Sequence, residues 1–371
     1  MKISIDRNII FKSLNHVQSI VDKKNTIPIL SNILLEASNS NLTLTATDMD
    51  LSIKTNISCS VVEEGSITVP AHTLYDIVRK IPDGNEIEFI SNDGKKFSIR
   101  SGKSKFSLSC LPKDDFPSIA IDSLQYEFSI NGRDLLSIID KTKFAISNEE
   151  TRYFLNGIYF HKNTEKNDSF LTLVSTDGHR LAKMDLIPEK NIDDLPGVIV
   201  PKKTIQELTK LLAEFDQEVV INVDPNKIIF FINNSILISK VIDGNFPDYT
   251  KVIPSNNLNV LKVNRELFCE AVDRVSTITN ERSRAIKFRL FNNLVNITAS
   301  NSENGSASED IQAEYNGKEI EIGFNSKYIL EMISQLEDEY VILKFNDENS
   351  PMIANESSNA NLIYVLMPMR V

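Results

Sequence analysis

Apolar residues along this chain follow two periods, and the alternation of these periods divides the sequence into repeated segments. Three short runs of alternating apolar and polar residues end at Ile5, Ile130 and Val263. After each run, mainly apolar residues recur at offsets of 0, 4, 7 and 11, which describe one face of an α-helix. These positions are Ile10, Leu14, Val17 and Val21, then Leu135, Ile139, Thr142 and Ile146, and then Phe268, Val272, Val275 and Thr279. The pattern predicts a strand followed by an amphipathic helix at three places.

The same strand and helix pattern occurs again later in each segment. The three stretches read GSITVPAHTLYDIVRKI, GVIVPKKTIQELTKLL and KEIEIGFNSKYILEMISQL. In our alignment the three strands end at Pro70, Pro201 and Phe324. The residues four positions further on are Leu74, Ile205 and Tyr328. The chain therefore contains six half-units, each a strand that leads into a helix.

A polar turn recurs at intervals near one third of the chain. It lies within LTLTATDMDLSI, LTLVSTDGHRLA and LVNITASNSENG, and it places Asp48, Asp177 and Asn301 at one position. These residues are separated by 129 and 124 positions, which indicates three copies of one domain. Proline-aromatic stretches, LPKDDFPSIA and VIDGNFPDYTKVIP, end the first two copies. We therefore predict domains at residues 1–124, 125–254 and 255–371.

One local signal conflicts with the repeat. Asn156-Gly157 in RYFLNGIYF is a dipeptide that favours a two-residue hairpin turn. The aligned stretches of the other copies, ILSNILL and AIKFRLF, contain no such turn. We therefore predict that Asn156 and Gly157 lie inside a strand.

The repeated half-units indicate the fold class. Each supplies one helix and several short strands, which predicts antiparallel sheets covered by helices. This is an α+β fold with three tandem copies of one domain, each containing two helices. Three alike domains expose the same edges and can add head to tail, and such contacts close a ring if a whole number of domains fits. The residues alone leave that number open.

Composition is that of an ordinary globular protein, with 371 residues, 41% apolar and 25% charged. Cys59, Cys110 and Cys269 are far apart and in no ligand spacing, so we interpret them as reduced, mostly buried thiols and expect no disulfide framework, metal site or cofactor. The opening MKISIDRNIIF lacks a signal-peptide pattern, and no apolar run approaches the roughly 20 residues that span a bilayer. We expect a soluble, intracellular protein that does not bind membranes.

Charge is distributed unevenly between helices and strands. The formal net charge of −11 by itself argues against a nucleic-acid binder. The six predicted helices nevertheless sum to +4, which leaves −15 elsewhere. Cations also flank the helices: Lys23, Lys24, Arg79, Lys80, Lys141, Lys143, Lys202, Lys203, Arg282 and Arg284. Individually these residues are typical of solvated helix faces, and collectively they indicate helices that face a polyanion and strands that face away.

The C-terminal tail, LIYVLMPMRV, is the most apolar stretch of the chain. Its alternation predicts a buried strand through Leu366, after which Pro368 stops the pairing. Chain ends usually fray in water, so an apolar terminus is unusual. The tail is either a final core strand only, or it also lines a site.

An enzyme is the rival class of function. Ser175, Asp177 and His179 lie close together around one turn, which invites comparison with a hydrolase triad. Neighbouring residues on one turn rarely point at each other as triad members must. The sequence also has no nucleophile elbow, no phosphate-binding glycine loop and no metal-ligand spacing. We therefore expect no catalytic activity.

The threefold repeat, TDGHRLA in the middle copy, DGNFPDYTKVIP, SKYILEMISQL and the terminal YVLMPMRV resemble the bacterial DNA polymerase III β subunits, the family of sliding clamps. The resemblance covers the whole chain, and TDGHR together with a C-terminal MPMR is specific to that family. It implies a cytoplasmic, non-catalytic processivity factor that forms a head-to-tail homodimer. The resulting ring of six domains would have helices around a central hole for duplex DNA and sheets outside.

The family's protein-binding groove is implied by residues that match its pattern. They are Arg152, Leu155, Thr176, Gly178, His179, Arg180, Leu181, Pro247, Val252, Tyr328, Val365, Leu366, Met367, Pro368, Met369 and Arg370, with Asn325 and Met352 nearby. Leucine and methionine side chains would form an adaptable apolar slot. Lys251 stands where the family often has arginine, so a bidentate contact there is not expected. The implied partners are the DNA polymerase III α subunit, the clamp loader and other proteins of replication and repair that carry a clamp-binding motif.

The family's DNA-facing positions correspond here to Lys24, Arg79, Tyr153, Lys202, Lys203 and Lys251. Contact with double-stranded DNA would be independent of base sequence. Glu149 and His72 occupy positions where the family often has an amide or a cation, which should weaken the contact. A ring-shaped scaffold that never contacts DNA is the alternative function.

The family's subunit interface is implied on two segments. Phe106 and Leu108 would meet Ile278 of the other chain. Facing charges would come from Lys103 and Lys105 on one side and from Glu303, Glu309 and Asp310 on the other. Because Gly305, Ser306 and Ser308 interrupt an acidic run that is common in the family, we expect dimerisation to depend weakly on salt.

Overall fold

The computed structural model describes residues 1–24, 26–91, 94–121, 124–165, 168–188, 192 and 195–371. Within these residues the chain forms six α-helices and four sheets, and the strand pairs within the sheets are antiparallel. The predicted α+β class is confirmed. No helix in the described part of the chain has both the length and the apolar character required to cross a membrane.

The elements follow the same plan in each third of the chain. In the first third they are β1 (Lys2–Asp6), α1 (Arg7–Ile20), β2 (Asn32–Ser38), β3 (Asn41–Thr47), β4 (Leu51–Ser58), β5 (Ser60–Glu63), β6 (Gly65–Pro70), α2 (Ala71–Lys80), β7 (Glu86–Ile90), β8 (Lys96–Ser101) and β9 (Ser104–Ser109). In the second they are β10 (Tyr126–Asn131), α3 (Gly132–Lys143), β11 (Gly157–Glu165), β12 (Asp168–Thr176), β13 (Arg180–Leu186), β14 (Val198–Pro201), α4 (Lys202–Leu212), β15 (Glu218–Val223), β16 (Lys227–Ile232) and β17 (Ser235–Lys240). In the last they are β18 (Asn259–Asn264), α5 (Arg265–Ser276), β19 (Ala285–Phe291), β20 (Leu294–Asn301), β21 (Gly305–Gln312), β22 (Glu314–Tyr315), β23 (Ile320–Asn325), α6 (Ser326–Ile333), β24 (Tyr340–Phe345), β25 (Met352–Asn355) and β26 (Leu362–Leu366). Short 3-10 helices occur at Pro28–Ser31, Lys113–Asp115, Glu150–Leu155 and Tyr249–Val252.

The strand and helix pairs predicted from the periodicity are confirmed. β1, β10 and β18 lead directly into α1, α3 and α5. At the first of these transitions the Asp6 side chain accepts a hydrogen bond from the backbone N–H of Asn8 and caps the helix. The first three predicted positions of each helix face are buried. The fourth positions, Val21, Ile146 and Thr279, lie beyond the helix ends.

The second set of transitions corrects our alignment of the third copy. The prolines that end β6 and β14 correspond in position to Asn325, the last residue of β23, because the helix begins at the next residue in all three copies. Placing Phe324 at that position is therefore wrong by one residue. The buried residue of α6 at the fourth position is Ile329, with 0% exposure, and Tyr328 lies on the partly exposed side of the helix.

The recurrent polar turn has the same structure in all three copies. The side chains of Asp48, Asp177 and Asn301 accept hydrogen bonds from the backbone N–H groups two residues further on, at 3.0, 2.9 and 2.8 Å. Aspartate and asparagine favour such turns because their short side chains reach the neighbouring backbone. The sequence alignment of these positions is confirmed.

Contacts between residues divide the chain into two compact units, of which unit 1 comprises Met1–Leu136, Glu189–Pro196 and Lys203–Val241. Its sheets have the strand orders β5-β1-β7-β8-β9 and β10-β15-β16-β17-β4-β3-β2-β6. The larger sheet joins strands of the first and second copies through β17 and β4, where Ser239 pairs with Leu51.

Unit 2 comprises Ser137–Pro188, Gly197–Lys202 and Ile242–Val371. Its sheets have the orders β14-β11-β12-β13-β26-β25-β24-β18-β22 and β21-β20-β19-β23. Here β26 and β13 join strands of the third and second copies, and Leu366 pairs with Arg180. The second copy therefore contributes strands to both units, and the boundaries at residues 124 and 254 stay predictions.

The prediction for Asn156 and Gly157 is half right. No hairpin turn forms at this pair, because Gly157 is the first residue of β11 and pairs with Pro201. A Cβ atom at Gly157 would lie 2.3 Å from the carbonyl oxygen of Val200, so glycine permits this close pairing. Asn156, however, lies just outside the strand, with φ −84° and ψ 33°.

The three cysteines form no disulfide bond with one another, and they are partly exposed and not mostly buried as we expected. Their partial burial still raises the pKa of the Cys59 and Cys269 thiols. These two thiols are therefore protonated at neutral pH.

Candidate functional site

The turn between β12 and β13 is held by hydrogen bonds within the segment from Thr176 to Arg180. The Thr176 hydroxyl donates to the carbonyl oxygen of Arg180 at 2.6 Å and accepts from the N–H of Gly178 at 3.1 Å. Gly178 has a φ of 88°, and a Cβ atom there would lie 2.4 Å from a guanidinium nitrogen of Arg152. Glycine therefore allows both the left-handed backbone and the close approach of Arg152.

An apolar cluster lies beside this turn. It contains the buried side chains of Val174, Leu181, Tyr249 and Val365. The Tyr249 hydroxyl is 3.0 Å from Nε2 of His161, and burial lowers the pKa of that histidine. The imidazole is therefore neutral at neutral pH and can accept the hydrogen bond of the hydroxyl.

A cavity of about 340 Å³, which we call the groove, opens between the cluster and the turn. Its lining includes the predicted residues Arg152, Leu155, Thr176, Gly178, Arg180, Leu181, Pro247, Val252, Val365 and Met367. Three further residues, Phe154, Asp248 and Tyr249, complete the lining and were not predicted. The signal for them was available, since Phe154 lies between two predicted residues and the other two belong to DGNFPDYTKVIP.

Arg180 connects the groove to α6. Its guanidinium donates to Asp177 at 3.0 Å, to Glu331 at 2.5 Å and to the carbonyl oxygen of Phe144 at 2.8 Å. It also lies 4.4 Å from the ring centroid of Tyr328, against which His179 stacks at a centroid distance of 6.3 Å. The partial exposure of Tyr328 on α6 makes this contact possible. His179 and Tyr328 thus lie at the turn without lining the cavity itself.

Arg152 lines the groove and contacts the same turn. It donates to the Glu149 carboxylate at 2.8 Å and to the carbonyl oxygen of Asp177 at 3.0 Å. The hydrogen bond from Arg152 lowers the pKa of Glu149, and the same bond raises the pKa of the guanidinium. Glu149, which we had associated with DNA, is therefore engaged in orienting a groove residue.

Several predicted groove residues do not line the cavity. Met352 and Leu366 are 0% and 1% exposed and pair with each other on β25 and β26, so they support the groove from within the core. Asn325 caps α6 by accepting a hydrogen bond from the N–H of Lys327. These three side chains have structural contacts that the sequence did not indicate.

The end of the tail lies over a different cavity. Pro368, Met369 and Arg370 line a space of about 490 Å³ together with Gly323. The N–H of Met369 donates to the carbonyl oxygen of Gly323 at 2.9 Å, and a Cβ atom at Gly323 would lie 2.5 Å from the Met369 carbonyl oxygen. The tail is therefore a core strand through Leu366 and a docked segment beyond it, and only Met367 of this segment lines the groove.

The residues of the hypothetical triad have other partners. The Ser175 hydroxyl is fully buried and donates to the carbonyl oxygen of Thr142 at 2.5 Å. Asp177 accepts from the backbone N–H of His179 and from the side chain of Arg180. Ser175 and Asp177 are thus engaged in hydrogen bonds that hold the turn, which is not the arrangement of a nucleophile, a base and an orienting carboxylate.

In unit 1, the predicted DNA-facing cations have different surroundings. Lys24 is exposed just past α1, and Arg79 pairs with Asp76 at 3.0 Å. Lys203 contacts Asp22 at 3.0 Å and Asp48 at 2.5 Å. Burial by itself would lower the pKa of Lys203, but the hydrogen bonds to these two carboxylates outweigh that effect and raise it. The charge of Lys203 is therefore already compensated, which its sequence position did not reveal.

In unit 2, Tyr153 is 55% exposed, and Lys202 donates to the side-chain oxygen of Asn148 at 2.5 Å. Lys251 is exposed but pairs with Asp248 at 3.0 Å. Lys202 therefore keeps a full positive charge beside an uncharged amide, whereas the charge of Lys251 is partly offset. Lys24 and Lys202 are the stronger candidates for contact with an anion.

The predicted subunit contacts lie on or next to two strands at sheet edges, except Ile278, which follows α5. β9 is an edge strand of the five-stranded sheet in unit 1, and Phe106 on it is 38% exposed. A cavity of about 450 Å³ with Ile77 and Ile81 in its lining opens beside Phe106. Leu108 on the same strand is partly exposed, and Lys103 and Lys105 are exposed.

β21 is an edge strand of the four-stranded sheet in unit 2. Glu303 and Asp310 are exposed near it, and Ile278 is partly buried beyond α5. Glu309 on β21 pairs with Arg274 of the same chain at 2.7 Å, and the hydrogen bond from Arg274 lowers the pKa of Glu309. This carboxylate therefore already has a cation beside it within the chain.

Comparison with known proteins places this architecture in one family. Sequence models of the DNA polymerase III beta subunit match the chain at residues 1–120 for the N-terminal domain, 129–248 for the central domain and 250–370 for the C-terminal domain. The beta sliding clamps of Caulobacter vibrioides and Pseudomonas aeruginosa are 43% and 37% identical over 372 residues, with all of both chains covered. The crystal structure of a sliding clamp from Bartonella birtlesii bound to griselimycin is similar at a TM-score of 0.97 and 44% identity, and covers 100% of both chains. A Caulobacter crescentus beta sliding clamp, with a polyethylene glycol bound to a putative beta-motif tethering region, has a TM-score of 0.97 and 43% identity over 100% of this chain and 99% of that one.

Proposed function

The chain belongs to the DNA polymerase III β subunit family, the non-catalytic DNA sliding clamps, and we propose that it works as a head-to-tail homodimer that encircles duplex DNA in the cytoplasm. The groove would bind short peptide segments of the DNA polymerase III α subunit, of the clamp loader and of other replication and repair proteins. The observation that carries this proposal is the groove itself, because a rigid turn and an apolar cluster form a slot beside a docked C-terminus.

The groove has the features of a peptide-binding site. Apolar side chains line most of it, and a few polar groups, chiefly those of Arg152 and Arg180, lie at its rim. Met367 and Val252 are 38% and 41% exposed, so apolar surface is available to a partner. Each apolar anchor that a partner buries contributes roughly 1.5 to 3 kcal/mol, and ordering costs reduce the sum to affinities on the order of 1 μM.

Dimer formation follows from strand equivalence within the chain. β17 ends the second copy and pairs with β4, and β26 ends the third copy and pairs with β13. β9 ends the first copy in the same way. β21 follows the polar turn of the third copy, as β4 and β13 follow the turns of the first and second copies. Within the described residues, β9 and β21 are both edge strands, whereas their equivalents are paired. Phe106 has the position of Leu237 in β17, which is 0% exposed. We propose that β9 of one protomer pairs with β21 of another and that Ile278 enters the cavity beside Phe106.

The dimer proposal is tested by shortening the apolar contacts. Truncation of a buried leucine or isoleucine costs about 2 to 5 kcal/mol, so Leu108→Ala combined with Ile278→Ala should give monomers in sedimentation at micromolar concentration. Leu258→Ala is a suitable control, because that side chain is 85% exposed. A wild-type chain that sediments as a monomer would contradict the proposal, and a steep salt dependence would contradict the expected minor role of ion pairs.

DNA would be retained by the closed ring and not by sequence readout. Sliding requires similar energies at every position, so bidentate base contacts, which discriminate by about 1 to 3 kcal/mol, are unsuitable. Lysines such as Lys24 and Lys202 follow phosphates without reading bases. Each neutralised phosphate adds about 0.9 to the slope of log affinity against log salt, so binding to linear duplex should weaken steeply with salt.

The decisive experiment separates encirclement from charge attraction. The protein is loaded on nicked circular DNA and washed in about 1 M salt, where the screening length is about 3 Å. Retention on the circle and release after linearisation support a sliding clamp. Loss during the salt wash would mean an ordinary electrostatic binder, and the absence of any DNA-dependent retention would favour a scaffold that does not act on DNA.

A further inference from the structure

A carboxylate of the second copy receives a hydrogen bond from the first copy within unit 1. The Ser19 hydroxyl, near the end of α1, lies 2.5 Å from Oε2 of Glu207 on α4. The other oxygen of this carboxylate, Oε1, pairs with Lys210 on the same helix at 2.7 Å. The Glu207 side chain is only 8% exposed. A carboxylate buried in this way requires such partners, because burial removes the water that would otherwise solvate it.

The equivalent carboxylate of the third copy also receives a hydrogen bond from the copy before it. Ile205 and Ile329 are equivalent, so Glu207 corresponds to Glu331 on α6. Glu331 accepts from the guanidinium of Arg180 at 2.5 Å, and Arg180 begins β13 of the second copy. At both of these contacts between consecutive copies, the preceding copy therefore supplies a donor to the carboxylate at this helix position.

Asp76 on α2 is the carboxylate at this helix position in the first copy, two residues after Leu74. Its Oδ1 pairs with Arg79, three residues further on, at 3.0 Å. Glu207 shows that such a helix partner leaves the second carboxylate oxygen to another donor. The Asp76 side chain is 55% exposed and lines the cavity beside Phe106. In the proposed dimer, the copy that precedes it in the ring is the third copy of the other protomer.

A donor can come from two positions of the preceding copy, and the third copy carries a donor side chain at one of them. The register of β20 with β21 matches that of β12 with β13, and it places Gly305 at the position of Arg180. Glycine has no side-chain donor. The position of Ser19, two residues after an equivalent buried valine, is held by Thr277 at the end of α5. The donor toward Asp76 is therefore a hydroxyl.

Thr277 already has the local geometry of Ser19. The Ser19 hydroxyl lies 2.7 Å from the carbonyl oxygen of His16, three residues earlier. The Thr277 hydroxyl lies 2.8 Å from the carbonyl oxygen of Arg274, also three residues earlier. Thr277 is exposed and directly precedes Ile278, which the proposed dimer buries. Its hydroxyl is therefore placed beside the proposed apolar contact between protomers.

We propose that, in the dimer, the Thr277 hydroxyl of one protomer donates a hydrogen bond to the Asp76 carboxylate of the other. The partner at this surface is thus a second copy of the chain, and the ring contains the bond twice. The bond fixes how the end of α5 lies against α2, because a misplaced helix would leave a carboxylate in the interface without its donor. The inference rests on the proposed dimer and adds a polar pair to the apolar contact of Phe106, Leu108 and Ile278.

The test is a double-mutant cycle on the full-length protein, with the dissociation constant of the dimer measured by sedimentation over a dilution series. Thr277→Val keeps the shape of the side chain and removes the hydroxyl. Each interface should weaken at least about fivefold, equivalent to about 1 kcal/mol, because a carboxylate is left without its donor. The ring contains two interfaces, so the dissociation constant should rise about 25-fold or more. Thr277→Ser, which has the side chain of Ser19, should keep the wild-type value.

Asp76→Ala decides whether the hydroxyl acts through this carboxylate. The Thr277 hydroxyl still has the carbonyl oxygen of Arg274 in this variant, so the dimer should weaken less than with Thr277→Val. Thr277→Val should have no further effect when Asp76 is already alanine. Ser276→Ala is the matched control, because it removes a neighbouring hydroxyl that donates within its own helix, to Asp273 at 2.8 Å. It should leave the dissociation constant unchanged, and thermal melting confirms that each variant is folded.

The proposal is overturned if Thr277→Val stays within about threefold of the wild type, or if it weakens the dimer equally with and without the Asp76 carboxylate. The second result would mean that the threonine acts only on its own helix. A wild-type chain that is monomeric over the whole dilution series contradicts the proposed dimer and this inference with it. A dimer that Leu108→Ala with Ile278→Ala disrupts and Thr277→Val does not would leave the dimer standing and overturn the polar pair alone.

Discussion

The groove turn in unit 2, residues 176–180, and the turn at residues 47–51 in unit 1 have the same pattern of hydrogen bonds but different side chains at four equivalent positions, one of which lies on the neighbouring strand. Gly178, His179, Arg180 and Met367 of the groove correspond to Met49, Asp50, Leu51 and Lys240. In each turn the threonine hydroxyl donates to the carbonyl oxygen four residues further on, at 3.2 Å in unit 1 and 2.6 Å in unit 2, and accepts from the N–H two residues further on, at 3.0 and 3.1 Å. The repeat therefore supplies one turn geometry, and the side chains on it decide what each turn contacts.

The difference at Arg180 shows how one substitution connects a turn to its surroundings. Leu51 is 2% exposed and packs into the core, whereas the Arg180 guanidinium joins Asp177, Glu331 and the ring of Tyr328. A buried cation with two carboxylates orients the groove turn against α6. In the unit 1 turn the equivalent carboxylate, Asp48, pairs with Lys203 instead.

The largest effect is expected for Arg180→Leu, which gives the groove turn the residue of its counterpart. The arginine side chain is 9% exposed, and its removal leaves Asp177 without its cation. Breaking a buried pair in this way costs about 3 to 5 kcal/mol, to be measured by urea unfolding. Adding Glu331→Gln should recover part of the loss, because it removes one of the two carboxylates that lose the guanidinium. Equal stability of Arg180→Leu and wild type would contradict the structural role of this ion pair.

A smaller effect is expected for the exchange of Met367 and Lys240. Met367→Lys places an ammonium group in the apolar slot and removes one apolar contact, so affinity for the DNA polymerase III α subunit should fall by about 1.5 to 3 kcal/mol, or roughly 10- to 150-fold. Surface plasmon resonance measures this loss directly. Lys240→Met is the matched control and should leave the polymerase affinity unchanged. Loss of affinity in the control and not in Met367→Lys would contradict our assignment of the groove as the peptide-binding site.

Exchanging the residues at Gly178 and Met49 between the two turns should change the free energy of unfolding by an intermediate to small amount. Gly178→Met introduces a side chain at φ 88° and displaces the Arg152 guanidinium, and the strain costs about 1 to 2 kcal/mol in urea unfolding. Met49→Gly removes strain but increases the freedom of the unfolded chain, so its net effect should stay below about 1 kcal/mol. Similar destabilisation by both variants would show that the two turns are less alike than their hydrogen bonds indicate.

The smallest expected effect is the contribution of His161 to the pH dependence of the free energy of unfolding. His161 lies beneath Tyr249 in unit 2, and the first copy has Glu36 at the equivalent position. Burial lowers the pKa of His161 below its ordinary value of 6.5. The unfolded chain therefore takes up this proton first, and the free energy of unfolding should fall as the pH drops from 6.5 towards the lower pKa of the folded state. His161→Gln should remove this part of the pH dependence, and identical pH profiles of the two proteins would contradict it.

Much of the fold and part of the groove could be predicted from the sequence alone. Apolar periodicity determines which residues of a strand or helix face the core, and an aspartate or asparagine side chain reaches its own backbone two residues on. Both effects act over a few residues, so the six strand and helix pairs and the three alike turns were correct. Ten residues that line the groove were identified because TDGHRL and the C-terminal segment keep the family's residues in order.

Other features depend on residues that are distant in the chain, and the sequence could not determine them. The pairing of Lys203 with Asp22 and Asp48 brings charges together across more than 150 positions of the chain. The burial of Met352 depends on strand order, and the docking of Met369 on Gly323 depends on a strand edge that only the folded sheet creates. Local periodicity thus determined which apolar side chains face the core. Tertiary structure decided which charged groups are paired with an opposite charge and which strand edges stay unpaired. The reason is that charges and strand edges interact with whatever groups the fold brings within a few ångströms of them.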